Sequence, residues 1–368
     1  RRRARRRPEA ACRASAAPSA AADEKLDHGL SALLEAFSEL AVPVLRSSLD
    51  CPFLVLSQRE LVRGLPATSP EALEAALELL GRYLEDCESR RAVFLTDFEG
   101  DMPGHGGILD TAVLQETTCI DGESLTAGAM RDWPPSTPGL LLDLGSEACV
   151  NLLRRVFESP ELTKVSWGAD ADVKSLLYQE QPARLGVQPT ALLDAQLAFS
   201  RPARRLGMGR MLQQVPGPLM ARLPRKELID FDAIHSRNRR AWVVPIHRRS
   251  ALYAVDDLHR IEAIIRSQVP KGGTYHKARS ATEAVLQSIR EDPYGMDDLV
   301  EWEKFFDKKH GVRRIVKAVE GLRHVYSLRA RGVTLGRDEE LAAKVEAKAA
   351  AALEGTSVEV PEDLSWAE

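Results

Sequence analysis

The chain has 368 residues, of which 44% are hydrophobic and 28% are charged, and its formal net charge at pH 7 is −4. No stretch approaches the roughly 18 uninterrupted apolar residues that a membrane span needs, so we expect no contact with a membrane. Five widely spaced cysteines without a C-x-x-C pair argue against a disulfide framework and against a structural zinc site.

Residues 1–24 form a basic tail rich in Arg, Ala and Ser. Its first 22 residues fit either an organellar transit peptide or a disordered tail. We therefore expect an intracellular protein, organellar in the first case and nuclear or cytoplasmic in the second. Residues 25–89 are predicted to form a mainly helical region, with helical patterns at 30–45 and 69–84 and a short apolar run at 53–57 that could be a strand.

Residues 90–267 alternate short apolar runs with helical patterns, which is typical of an α/β fold around a mixed sheet. The predicted strands are 92–98, 111–120, 139–144, 163–167 and a short one near 191–195. The predicted helices between and after them cover 147–157, 172–179 and 250–267. We expect these residues to form one domain.

Residues 268–353 have a wholly helical pattern and precede an acidic tail at 354–368. Part of this helical region is basic, and phosphates attract such a surface through charge neutralisation. The candidate nucleic-acid contacts are Lys304, Lys308, Lys309, Arg313, Arg314 and Lys317. A solvated face of a packing helix is an equally good interpretation of these charges.

Two carboxylates follow the first predicted strand of the α/β region. Asp97 and Glu99 are two residues apart, so on a strand both side chains project from one face. Oxygen ligands arranged in this way suit hard divalent cations. Asp121 and Glu123 have the same spacing, but they lie in a polar segment that a solvated turn explains better.

Two further patterns place acidic residues on helices. Asp172 lies in the first turn of a helix that follows the strand at 163–167, and Asp170 is a rival for the same role. Tyr253 and Asp257 are four residues apart and therefore neighbours on one helix face, whereas Asp256 would point elsewhere. A helix-terminal acid that is favoured by the helix dipole is the plain interpretation of Asp172.

The order of these motifs resembles that of ribonuclease D-like 3′→5′ exonucleases, the tyrosine subtype of the DEDD superfamily. The matching motifs are D-x-E, K-V-x₆-D-x₃-L, D-x-Q-x-A and Y-A-x-x-D, and they extend over about residues 90–267. Leu252 stands where the histidine subtype would need His. Trp167 departs from the family, which often has His at that position, and the segment around Trp242 lacks the family's Arg.

The resemblance implies a ribonuclease H-like exonuclease fold with helical extensions at both ends. It also implies a metal site formed by Asp97, Glu99, Asp172 and Asp257, with two divalent ions, Mg²⁺ or Mn²⁺, about 3.5–4 Å apart. Tyr253 would orient the attacking water. The expected reaction is hydrolysis at the 3′ end of a single-stranded nucleic acid, RNA favoured over DNA, with release of nucleoside 5′-monophosphates. The motifs do not identify a protein partner.

Two alternatives stay open on the residues alone. A non-catalytic nucleic-acid-binding or adaptor protein could keep the same fold, although four mutually repelling carboxylates would then have no physical reason to be together. The motifs could also be coincidental in an unrelated α/β protein. A phosphate-binding loop and a G-x-S-x-G motif are both absent from the sequence, so nothing in it favours ATP hydrolysis or a serine hydrolase.

Overall fold

A seven-stranded mixed sheet forms the centre of the protein. The computed structural model describes residues 34–101, 108–117, 120–121, 124–125, 137–179, 185–199, 206–215, 221, 223, 244–267, 275–291, 325 and 337–353. Its strands are β1 Val44–Arg46, β2 Pro52–Leu56, β3 Val93–Asp101, β4 Ile108–Thr117, β5 Ile120–Asp121, β6 Ser124–Leu125, β7 Gly139–Asp143, β8 Thr163–Ser166 and β9 Leu192–Asp194. The strand order in the large sheet is β1-β2-β7-β4-β3-β8-β9, and β5 and β6 pair separately.

The sheet combines parallel and antiparallel pairs. β4 runs antiparallel to both β3 and β7. β3, β8 and β9 are mutually parallel, and so are β2 and β7. Because parallel neighbours bring their carboxyl ends to one edge of a sheet, the ends of β3 and β8 lie at the same edge.

Eight helices accompany the sheet in the described part of the chain, besides a helical turn at 34–39. They are α1 Pro70–Ser89, α2 Glu147–Glu158, α3 Asp170–Tyr178, α4 Ala195–Phe199, α5 Met208–Leu212, α6 Arg248–Ser267, α7 Tyr275–Glu291 and α8 Arg337–Leu353. α1 begins as its sequence predicts, because the Ser69 side chain accepts a hydrogen bond from the Ala72 amide at 3.1 Å and Pro70 opens the helix. Across these described segments, no helix has the length and apolarity to cross a membrane.

Side chains on the two faces of the sheet pack into two separate cores. In β3, Val93 and Leu95 point to the face that α6 covers, and Phe94 and Phe98 point to the face that α1, α2 and α3 cover. α6 packs directly against β3 and β4. Side chains along a strand point to alternate faces of the sheet. Asp97, two residues after Leu95, therefore lies on the α6 side.

The mixed sheet with helices on both faces confirms the predicted α/β class, and it fits the ribonuclease H-like exonuclease fold that the resemblance implied. All five predicted strands of the α/β region form. The helical interpretation of residues 30–45 was wrong at its end, where Val44–Arg46 form β1. Pro43 explains the difference, because proline lacks an N–H and disfavours helix at the preceding residue.

The domain limits themselves stay a prediction. β1 and β2 belong to the large sheet, so the sheet includes residues from the N-terminal side of the limit we set at 90. Of the predicted helical region at 268–353, residues 292–324 and 326–336 lie outside the described residues.

Candidate metal centre

Two of the predicted carboxylates stand on β3. Asp97 and Glu99 are partly buried, while Phe98 between them is buried on the opposite face, edge-on to Phe157 with ring centroids 5.3 Å apart. Phe98 is therefore part of the core. The pairing of β3 with β4 shifts register between Glu99 and Gly100, and such irregularities often re-aim a strand where a site is built.

α6 brings the third motif to the same face of the sheet. Tyr253 and Asp257 are one helical turn apart, and both are buried. Asp256 points elsewhere, as expected, because its carboxylate accepts the Ser48 amide at 3.0 Å and the Ser48 hydroxyl at 2.6 Å. Of the two adjacent acids on α6, only Asp257 is thus directed to β3.

Carboxylate oxygens from three residues converge at this point. One oxygen each from Asp97, Glu99 and Asp257 lies within 4.8 Å of the others, and among the described residues no other group of three potential ligands meets that criterion. Oxygens bound to one Mg²⁺ are at most about 4.2 Å apart, because each lies about 2.1 Å from the ion. The three side chains fit a hard divalent cation after a small adjustment of their rotamers.

Asp172 stands beside this cluster, in the first turn of α3. Burial raises the pKa of its carboxyl well above the ordinary value, and the negative charges of Asp97, Asp194 and Asp170 raise it further. A carboxyl group in this position is stabilised either by a bound proton or by a nearby cation. Asp170, its rival, lines a small cavity with residues of β9 and α7, which favours Asp172 as the residue that belongs with Asp97.

Asp194 has a supporting role that the sequence did not assign. Its Oδ1 accepts the amide of Gly168 and the amide of Gln196, both at 2.9 Å. Gly168 has a φ of 74°, a left-handed conformation that glycine adopts without strain. The acid of the D-x-Q-x-A motif therefore fixes the turn between β8 and α3, and through it the position of Asp172.

Tyr253 faces the carboxylates as a neutral phenol. Burial raises its pKa far above the ordinary value of about 10, and the charges of Asp257, Glu99 and Asp97 act in the same direction. Arg260 opposes this shift, with its guanidinium carbon 5.7 Å from the centroid of the tyrosine ring. A phenol with this pKa can donate and accept hydrogen bonds, but it cannot serve as a base near neutral pH.

Trp167 and Gln115 have structural contacts. Trp167, which replaces the family's usual His, stacks on Phe199 with ring centroids 6.0 Å apart. The Gln115 amide donates to the Thr137 carbonyl at 2.9 Å, and so ties β4 to the segment before β7. The basic candidates between Lys304 and Lys317 lie outside the described residues, and their contact with nucleic acid stays a prediction.

Known proteins resemble this chain in structure more than in sequence. No protein-family model matches it, and no curated protein does. Ribonuclease D from Trypanosoma brucei in complex with GMP is similar, with 18% identity over 57% of this chain and 61% of that one and a TM-score of 0.43. This chain thus matches less than two thirds of that protein's length.

Two further structures are similar over longer stretches of this chain. The Escherichia coli ribonuclease D, an exoribonuclease involved in structured RNA processing, has 17% identity over 73% of this chain and 64% of that one, with a TM-score of 0.35. The catalytic core of RRP6 from Trypanosoma brucei has 14% identity over 86% and 94%, with a TM-score of 0.33. Identities and TM-scores this low carry no argument about function, so the proposed function rests on the residues of this chain.

Proposed function

We propose that this protein is a metal-dependent 3′→5′ exonuclease that hydrolyses phosphodiester bonds at the 3′ end of a single-stranded nucleic acid. The observation behind the proposal is the convergence of Asp97, Glu99 and Asp257, with Tyr253 one turn from Asp257 and Asp172 within electrostatic reach of Asp97. These are the five residues to which the motif resemblance assigns catalysis.

The role of the carboxylates is to bind divalent cations at the place of the reaction. Asp97, Glu99 and Asp257 would bind one divalent cation, and Asp172 with Asp97 would bind a second. Bound Mg²⁺ or Mn²⁺ ions supply activation of water and stabilisation of the attacking and leaving oxygens in an in-line displacement. Four carboxylates that otherwise repel one another fit this role, since cations remove the repulsion.

Tyr253 orients the attacking water through its hydroxyl. Its raised pKa keeps the phenol neutral, so it positions the water and does not remove the proton. Correct placement of a reacting group is worth orders of magnitude in rate. The buried ring also limits the freedom of the hydroxyl, since Tyr253 is only 8% exposed.

The substrate part of the proposal rests on the motif resemblance. It favours single-stranded RNA over DNA, with nucleoside 5′-monophosphates as products. Bases of a single strand bind by stacking, and the backbone binds by neutralisation of its phosphates. The basic residues from Lys304 to Lys317 are the proposed backbone contacts.

Two neighbouring acids on α6 offer a matched test. Asp257→Asn removes a proposed ligand, whereas Asp256→Asn alters an acid that Ser48 holds away from the cluster. With 5′-labelled single-stranded RNA and Mg²⁺, we expect Asp257→Asn to lose at least about 10²-fold in rate, the scale of one transition-state contact. Asp256→Asn should keep the wild-type rate per folded molecule. Equal rates in the two variants would reject the proposed site, and binding of RNA without cleavage by the wild type would favour an adaptor.

A further inference from the structure

Arg260 is a fully buried cation beside the proposed metal centre. It lies on α6 with 0% of its surface exposed, and it is the largest fully buried side chain of the described residues. A guanidinium taken out of water in this way is costly unless charged or aromatic groups surround it. The partners of Arg260 therefore indicate why the chain has a cation at this position.

Arg260 contacts both residues of the third motif. Its Nη1 donates to Oδ1 of Asp257 at 2.5 Å, an ion pair between residues three apart on α6. Its guanidinium carbon also lies 5.7 Å from the ring centroid of Tyr253, within the range of a cation–π contact. One side chain thus touches a proposed metal ligand and the proposed water-orienting residue.

We propose that Arg260 is a positioning residue of the exonuclease, which holds Asp257 and Tyr253 in the arrangement that the reaction requires. The inference rests on the proposed function. The ion pair fixes the carboxylate that brings an oxygen within 4.8 Å of those of Asp97 and Glu99. The guanidinium over the Tyr253 ring restricts the orientation of that ring. Its positive charge also offsets part of the repulsion among the carboxylates before cations bind.

α6 contains a second buried ion pair that serves as a matched control. Arg266 donates to Glu262 at 2.8 Å, and its side chain is only 3% exposed. Glu262 also accepts the Thr117 hydroxyl, at the end of β4 that is far from Glu99. Arg266 lies nine residues beyond Asp257, about 14 Å along the helix. Loss of this pair reproduces the burial and charge effects of losing Arg260 without touching the site.

The test compares Arg260→Met, Arg260→Lys and Arg266→Met in the full chain. For each variant, kcat on 5′-labelled single-stranded RNA, the Mg²⁺ concentration that gives half the maximal rate, and the thermal midpoint are measured. We expect Arg260→Met to lower kcat per folded molecule by about 10²-fold, the effect of a misplacement of about 1 Å. Arg260→Lys keeps the charge without the planar group, and it should lie between Arg260→Met and the wild type.

The Arg266→Met control separates an effect on the site from a general loss of stability. Arg266→Met should lower the thermal midpoint and keep the wild-type kcat. In every Arg260 variant, the half-saturating Mg²⁺ concentration should change less than kcat. Wild-type kcat in each Arg260 variant that folds, or an equal loss of kcat in Arg266→Met, would overturn the role of Arg260. If Arg260→Met does not fold, Arg260→Lys decides by the same criterion. An inactive wild type would overturn the proposed function and this inference together, whereas an active wild type with active Arg260 variants overturns only the inference.

Discussion

Removal of one carboxylate from the cluster should stabilise the metal-free protein while it abolishes the activity. In Asp97→Asn the side chain keeps its shape and loses its charge. One oxygen from each of Asp97, Glu99 and Asp257 lies within 4.8 Å of the other two. Two unit charges at about that distance repel by about 3.5 kcal/mol at an effective dielectric of about 20, and by about 0.9 kcal/mol in bulk water. Because Asp97 and Glu99 are partly exposed, we expect a gain of about 1–2 kcal/mol.

The assay is thermal or urea unfolding in EDTA and again in Mg²⁺. A gain of about 1–2 kcal/mol corresponds to a rise in Tm of about 1–3 °C for a chain of 368 residues. The wild type should gain stability from Mg²⁺ because the ion binds the folded state, and Asp97→Asn should gain little. An Asp97→Asn protein that is less stable than the wild type in EDTA, with an unchanged response to Mg²⁺, would refute the repulsion on which the metal centre depends.

Three further predictions address single residues. Tyr253→Phe removes the hydroxyl and should lower kcat by about 10²-fold with the half-saturating Mg²⁺ concentration unchanged, as steady-state degradation of RNA would show. Burial lowers the pKa of Lys164 from 10.5 to about 7. Between these two pH values the unfolded chain therefore binds more protons than the folded chain. The free energy of unfolding should thus rise with pH from 7 to 10. Lys164→Met should remove up to about 1.4 kcal/mol per pH unit from that slope in urea titrations. Asp143→Asn weakens the contacts with Ser57 and Arg59, and it should cost about 2 kcal/mol of unfolding free energy without changing kcat per folded molecule.

The strands and the first carboxylate pair could be predicted because their signals are local. Alternation along β3 places Asp97 and Glu99 on one face, and the structure has both on the α6 side. The spacing of Tyr253 and Asp257 likewise depends only on helical geometry. These positions needed no knowledge of how distant parts of the chain pack.

The supporting residues could not be predicted, because their roles depend on tertiary contacts. Asp194 was visible only as part of a motif, and its hydrogen bond to the Gly168 amide requires β8 and β9 to be neighbours. Arg260 looked like an ordinary charged residue of an amphipathic helix. The one available signal was its place three residues after Asp257, on a helix whose faces are almost all buried. β1 was missed because a helical pattern extended past Pro43.

The proposed exonuclease activity can be measured directly by degradation of end-labelled single-stranded RNA. Wild type and Asp97→Ala are incubated with 5′-labelled and 3′-labelled RNA and DNA, in Mg²⁺ and in EDTA. We expect stepwise shortening of the 5′-labelled strand and immediate release of the 3′ label as a mononucleotide. Both should require Mg²⁺ and disappear in Asp97→Ala. Intact RNA and DNA with wild-type protein and Mg²⁺, or equal cleavage by Asp97→Ala, would contradict the proposed function.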